Sequence, residues 1–147
     1  MSHSRIIQVS KNIVNENDRM RSSNFDMDVI LRVVDGVDYV TEPDSSREEE
    51  LKWFKEQLER VGFTLDGEEI TVGKDETFLS DWREKAVEVA ENFDLWKMKE
   101  VASGVYFSAF FIYDEEFGYL MPLWAWAKQV LGNERTYYVG GIIDYHY

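Results

Sequence analysis

Three segments of this chain carry a helix start signal and a helix stop signal in the right order, and strands can form only between them. Ser46-Arg-Glu-Glu49 is a capping box, in which hydroxyl and carboxylate satisfy each other's terminal N–H groups. Leu51, Phe54, Leu58 and Val61 follow at helical spacing, and Gly62 supplies a left-handed stop. Asp94 can cap the segment Leu95 to Ser103, which Gly104 ends. Pro122 suits the first turn of a helix through Leu131, with Gly132 beyond its end. A fourth helical pattern covers 79–93 and places Trp82, Ala86, Val89, Ala90 and Phe93 on its buried side.

Between these lie strand patterns. Arg5 to Ser10 is a short candidate, and Lys11 to Asn24 reads as a loop rich in Asn, Asp and Ser. Phe63 to Val72 reads as two short strands around Asp66-Gly67. Val105 to Tyr113 is apolar on both alternate faces, the mark of a central strand covered on both sides. Thr136 to Tyr147 is a last strand with a bulge or bend at Gly140-Gly141. No regular βαβ rhythm connects the elements. The expected fold class is therefore α+β: one domain spanning 1–147, with a small, mostly antiparallel sheet packed by about four helices.

The stretch Asp28 to Val40, DVILRVVDGVDYV, is harder to place. Its Asp-Gly suggests a hairpin turn, its aspartates a metal loop, and its charge spacing a helix. On a helix Asp28, Arg32 and Asp35 fall within about 60° of one another, with Ile30, Val33, Val34, Val37 and Val40 opposite. A hairpin gives no polar side. Gly36 and the β-branched content oppose a helix by about 1 kcal/mol for the glycine alone, but the amphipathic pattern is longer than the turn signal. The expectation is a helix capped by Asn24.

Charge narrows the function classes. The 29 acidic and 16 basic residues leave a net −13, which opposes direct binding to nucleic acid or an anionic membrane and favours basic protein partners. Residues 16–50 alone carry 11 acids against 4 bases. Cysteine is absent, so thiolate catalysis, disulfides and Cys-based zinc sites are excluded. That absence and the lack of an apolar leader in MSHSRIIQVSKN lead us to expect a cytoplasmic protein.

No catalytic motif is complete. Asp35, Asp38, Glu42 and Asp44 offer oxygen ligands, but Arg32 and Val34 stand where an EF-hand needs donors before its glycine. Asp26-Met-Asp28 is a DxD spacing that 29 acids produce by chance and that a helix start explains. Gly73-Lys lacks the upstream glycine of a phosphate loop, since Glu68 stands there. A Ser/His/Asp triad would need His146, and no nucleophile elbow is present; His146 is expected to pack on an edge strand, and His3 near a frayed end. Carboxylate pairs such as those within Asp114, Glu115 and Glu116 are too common here to identify a glycosidase. Neither a cofactor nor a metal is expected.

The carboxyl-terminal 31 residues hold 8 of the 22 aromatic residues. Trp124 and Trp126 lie about 200° apart on a helix, so Trp124 is expected in the core and Trp126 pointing away from it. The functional expectation is a non-catalytic accessory or regulatory protein acting through protein–protein contact. Trp126, Tyr137, Tyr138 and Tyr145 would form its aromatic patch, and Asp28, Asp35 and Asp38 the acidic counterpart. Homodimerisation through the C-terminal strand is a further option. The alternative is a DNA-mimicking inhibitor of a nucleic-acid enzyme, its carboxylates spaced like phosphates along a helix. In size and acidity the chain resembles small antirestriction proteins of mobile elements, although no motif ties it to them.

Overall fold

A computed structural model describes residues 2–147. Its strands are β1 (His3–Ser10), β2 (Tyr39–Thr41), β3 (Thr64–Asp66), β4 (Glu69–Thr71), β5 (Phe111–Asp114), β6 (Leu120–Pro122) and β7 (Thr136–His146). Its helices are α1 (Met27–Leu31), α2 (Arg47–Glu59), α3 (Thr77–Glu91), α4 (Leu95–Ser103) and α5 (Leu123–Val130), with a 3-10 turn at Glu16–Asp18. The class is α+β, as expected.

All seven strands join one sheet in the order β3-β4-β7-β1-β5-β6, with β2 also on β7. The sheet is larger than expected and mixed, because β1 and β5 run parallel while the other pairings are antiparallel. The chain between β1 and β5 carries α1 to α4, long enough for the crossover that a parallel pair needs. β7 is the hub. It holds β1 along one side, and β4 and β2 along the other.

Local signals worked where they were self-contained. Ser46 Oγ accepts the N–H of Glu49 and starts α2, and Gly62 takes φ +77° after it. Asp94 Oδ1 accepts the N–H of Lys97, and Gly104 closes α4 at φ +90°. The hairpin β3–β4 turns at Asp66-Gly67. In β7 the expected irregularity is a bulge: Ile7 faces Ile142 and Val9 faces Val139, leaving Gln8 opposite both Gly140 and Gly141.

Three expectations need correction. The helix proposed for 28–40 stops at Leu31, and its cap is Asp26, whose Oδ1 accepts the N–H of Asp28. Gly36 adopts φ +76° in a turn, and Tyr39–Thr41 then pairs with β7. The β-branched run and the glycine won over the amphipathic spacing. Secondly, 105–110 is not a strand. Past the left-handed Gly104 the chain keeps turning, with the N–H groups of Phe107 and Ser108 donated to Gly104 O, so only Phe111–Asp114 enters the sheet. Its rings pack from a loop instead: Phe107 stacks on Trp124 at 4.0 Å between centroids, and Phe110 meets Trp53 edge-on at 4.8 Å. Thirdly, α3 buries Phe78, Leu79 and Val89, while Ala86 and Ala90 are exposed and Phe93 is 84% exposed.

The sheet carries apolar material on both faces. The larger cluster includes Ile7, Val9, Phe54, Leu58, Phe63, Trp126 and Val139 under α2 and α5. The smaller one gathers Ile6, Ile30, Val37, Phe111, Ile143 and Tyr145 beneath α1 and its turn. This division separates two very different surfaces of the molecule.

Candidate functional site

Three of the four residues expected to form an aromatic patch lie in the core. Trp126 is fully buried; its Nε1 donates to Asp114 Oδ2 at 2.9 Å, and its ring meets Phe63 and Tyr137 edge-on. Tyr137 and Tyr145 are also buried, and Tyr138 is half-buried. Burial pushes the Tyr145 hydroxyl up to about 12. It raises Tyr137 too, with Asp114 and Glu116 adding to the effect. The two-sided helix argument failed for Trp126 because α5 is enclosed on more than one side, burying Leu123, Trp124, Trp126, Ala127 and Val130 together.

Asp28, Asp35 and Asp38 are exposed, as a display surface requires. They do not form one helical row, since α1 ends before Asp35. β1 pairs along one side of the C-terminal strand, while β4 and β2 pair with its two ends on the other side, at Thr136–Tyr138 and Asp144–His146. His146 accordingly lies inside the sheet, flanked by His3 and Tyr39 and not on an edge.

The exposed apolar surface lies elsewhere. On α4, Trp96, Lys99, Glu100 and Ser103 share one face by their three- and four-residue spacing. This face borders a cleft of about 360 Å³ that also contacts Val33, Val105, Phe111 and Pro122. A second cleft of about 280 Å³ shares Val33, Val105 and Phe111 and continues to Tyr145, Tyr147 and Asp35. The two make one trough along the α1 side of the sheet. Trp96 stands 80% exposed at its end, beside Leu95 at 75% and Phe93 at 84%. Phe93 holds a left-handed φ of 54°, which costs an L-residue roughly 1–2 kcal/mol. The quartet Phe93-Asp-Leu-Trp96 was legible as a cap followed by apolar residues. Its exposure was not, because periodicity assigns a face without saying whether anything covers it.

On the opposite face, beyond the larger apolar cluster, lies a group of polar side chains. The two histidines, remote in sequence, meet across β1 and β7 with ring centroids 5.7 Å apart, and Tyr39 stacks on His146 at 4.4 Å. His146 Nε2 lies 2.9 Å from Thr41 Oγ1, whereas Asp144 Oδ2 is 3.5 Å from His3 Nδ1. Hydroxyl and carboxylate therefore engage different imidazoles, and the relay of a hydrolytic triad is not assembled. Further along, Arg5 Nε donates to the buried Glu50 at 2.7 Å while its guanidinium lies 3.8 Å above the Trp53 ring. Next comes a cleft of about 290 Å³ in which Arg19, Arg21 and Arg47 face Glu16, Glu42 and Glu50.

The remaining acidic candidates have structural partners. Asp114 holds Trp126, Glu115 accepts from Gln8 Nε2 at 2.7 Å, and Glu116 pairs with Lys11 at 2.6 Å. Among the described residues no group of three or more His, Asp or Glu is placed to hold a metal ion. Likewise no described helix is long and apolar enough to cross a membrane. No protein family, curated protein or solved structure matches the chain.

Proposed function

We propose that the chain is a non-catalytic accessory protein that holds an apolar, basic segment of a partner protein in the trough between α1, α4 and the sheet. The observation that carries this reading is the 80% exposure of Trp96 at the end of a continuous apolar channel. Large apolar surfaces of this kind on a soluble chain mark contact sites, and tryptophan is prominent among the anchors of interfaces. Asp35 lines the channel, Asp28 and Asp38 are exposed nearby in sequence, and the net charge is −13. A basic partner would therefore be steered toward this face, and a second copy of the same charge repelled.

Site-directed photo-crosslinking tests the proposal. A crosslinker at Trp96 is expected to capture a defined partner in native cytosol that the same group at Ile13, exposed beyond the other end of β1, does not capture. Trp96→Glu should abolish the association, and neutralising Asp28, Asp35 and Asp38 should weaken it and flatten its salt dependence. Identical products from positions 96 and 13 would defeat the proposal.

A further inference from the structure

We infer that the arginine cleft beside the β7 bulge, lined by Arg19 and Arg47 but not by Glu68, is a binding site for a small oxyanion, carboxylate or phosphate, that draws both arginines away from Glu68. The inference does not depend on the trough.

Arg19 Nη2 and Arg47 Nε both donate to one oxygen, Glu68 Oε1, each at 3.3 Å. Strong guanidinium–carboxylate bonds are shorter, about 2.7–2.9 Å, and are commonly bidentate. Here one acceptor atom serves two cations at long range, and neither fork is filled. Arg19 Nε is buried and has no hydrogen-bond partner at all. A buried donor left in that state is costly, and a charged one more so. Arg47 gains only a 3.5 Å contact to Val139 O, and Arg21 donates to the backbone oxygen of Glu16.

The other carboxylates do not compete equally for these arginines. Glu50 is engaged by Arg5 at 2.7 Å, and Glu42 Oε2 accepts the N–H of Ser22 at 2.7 Å. Glu68 is the movable one: its side chain is 38% exposed, so it can swing into water when a better acceptor arrives. The floor of the cleft is fixed, since Gln8 Oε1 accepts the N–H groups of both Met20 and Gly141. An oxyanion with several free oxygens could fill both guanidinium forks and reach Arg19 Nε, which one glutamate oxygen does not. A cleft of about 290 Å³ admits a small molecule, and the net charge of −13 disfavours an anionic polymer.

Calorimetric titration of the full chain with inorganic phosphate and with succinate, against chloride at equal ionic strength, tests this. Saturable binding of at least one of the two anions is expected; phosphate alone would indicate a phosphorylated ligand and succinate alone a carboxylic acid. Arg19→Gln and Arg47→Gln should each weaken binding at least tenfold. Glu68→Gln, at an accessible side chain, should tighten it several-fold by removing the internal competitor, and this variant decides the matter even if the arginine variants misfold. Binding of neither anion, equal binding by the folded arginine variants, or unchanged or weaker binding by Glu68→Gln would overturn the inference.

Discussion

Trp126 and Asp114 form a closed pair: the indole N–H donates to Asp114 Oδ2 at 2.9 Å, and both side chains are almost wholly buried. Asp114 Oδ1 meanwhile accepts the N–H of Glu116 and shapes the turn after β5. Removing the carboxylate strands a buried donor, whereas removing the ring opens a cavity. Asp114→Ala should therefore cost about 1–3 kcal/mol for the orphaned indole, and Trp126→Ala about 3–5 kcal/mol. Urea unfolding followed by circular dichroism measures both. A Trp126→Ala protein as stable as the parent would return this residue to the surface.

The β7 bulge makes a sharper comparison. A Cβ on Gly140 would run into the Gln8 side chain, and one on Gly141 into the backbone of Met20. A side chain can give way more readily than a peptide. Both alanine substitutions should destabilise by at least about 1–3 kcal/mol, as overpacking does. Combining Gly140→Ala with Gln8→Ala should recover part of its loss, while Gly141→Ala should recover less, because losing Gln8 releases the Met20 N–H but leaves the Met20 peptide in the way. A double-mutant cycle reads this directly; equal coupling at the two positions would contradict the packing described.

What could be read from the chain divides along the same line between local and non-local cause. Ser46, Gly62, Asp94 and Gly104 act within a turn or two of themselves, and each behaves as its local chemistry requires. The Gly140-Gly141 bulge was visible as well, but not its reason, since Gln8 and Met20 arrive from the other end of the chain. Trp126 was misplaced because a helical wheel knows one face, whereas α5 is surrounded. The same blindness hid Trp96, whose spacing resembles a core residue's and whose surroundings are solvent. The arginine cleft was illegible for a further reason: Arg19, Arg47 and Glu68 come from a loop, a helix start and a hairpin turn, and only the fold brings them together.

Phe93 offers a test of strain independent of any partner. It is the one non-glycine among the described residues with positive φ, and its ring is 84% exposed. Glycine adopts that backbone without the clash between Cβ and carbonyl. Phe93→Gly should accordingly leave stability unchanged or raise it by up to about 1 kcal/mol, whereas Phe93→Ala should bring no comparable gain. Thermal melts of the three proteins side by side decide it. A clear loss in Phe93→Gly would mean that the ring packs against the chain.

Alkali should unfold the protein through its buried tyrosines. Tyr145 is held at about 12 by burial, so its folded-state value lies above the ordinary value near 10 of the unfolded chain. Tyr137 is shifted in the same direction, chiefly by burial. For a raised phenol the native state holds its proton more tightly than the unfolded state does. The stabilisation is thus fully present below about pH 10 and is lost as pH rises from there toward 12, by on the order of 2 kcal/mol for Tyr145. Urea midpoints taken at intervals between pH 9 and 12 should fall steeply in the parent and less steeply in Tyr145→Phe, which has no proton to lose at that position. Parallel curves for the two proteins would show that Tyr145 ionises as freely in the native state as in the unfolded one, and would refute its enclosure between Phe111 and the α1 side of the sheet.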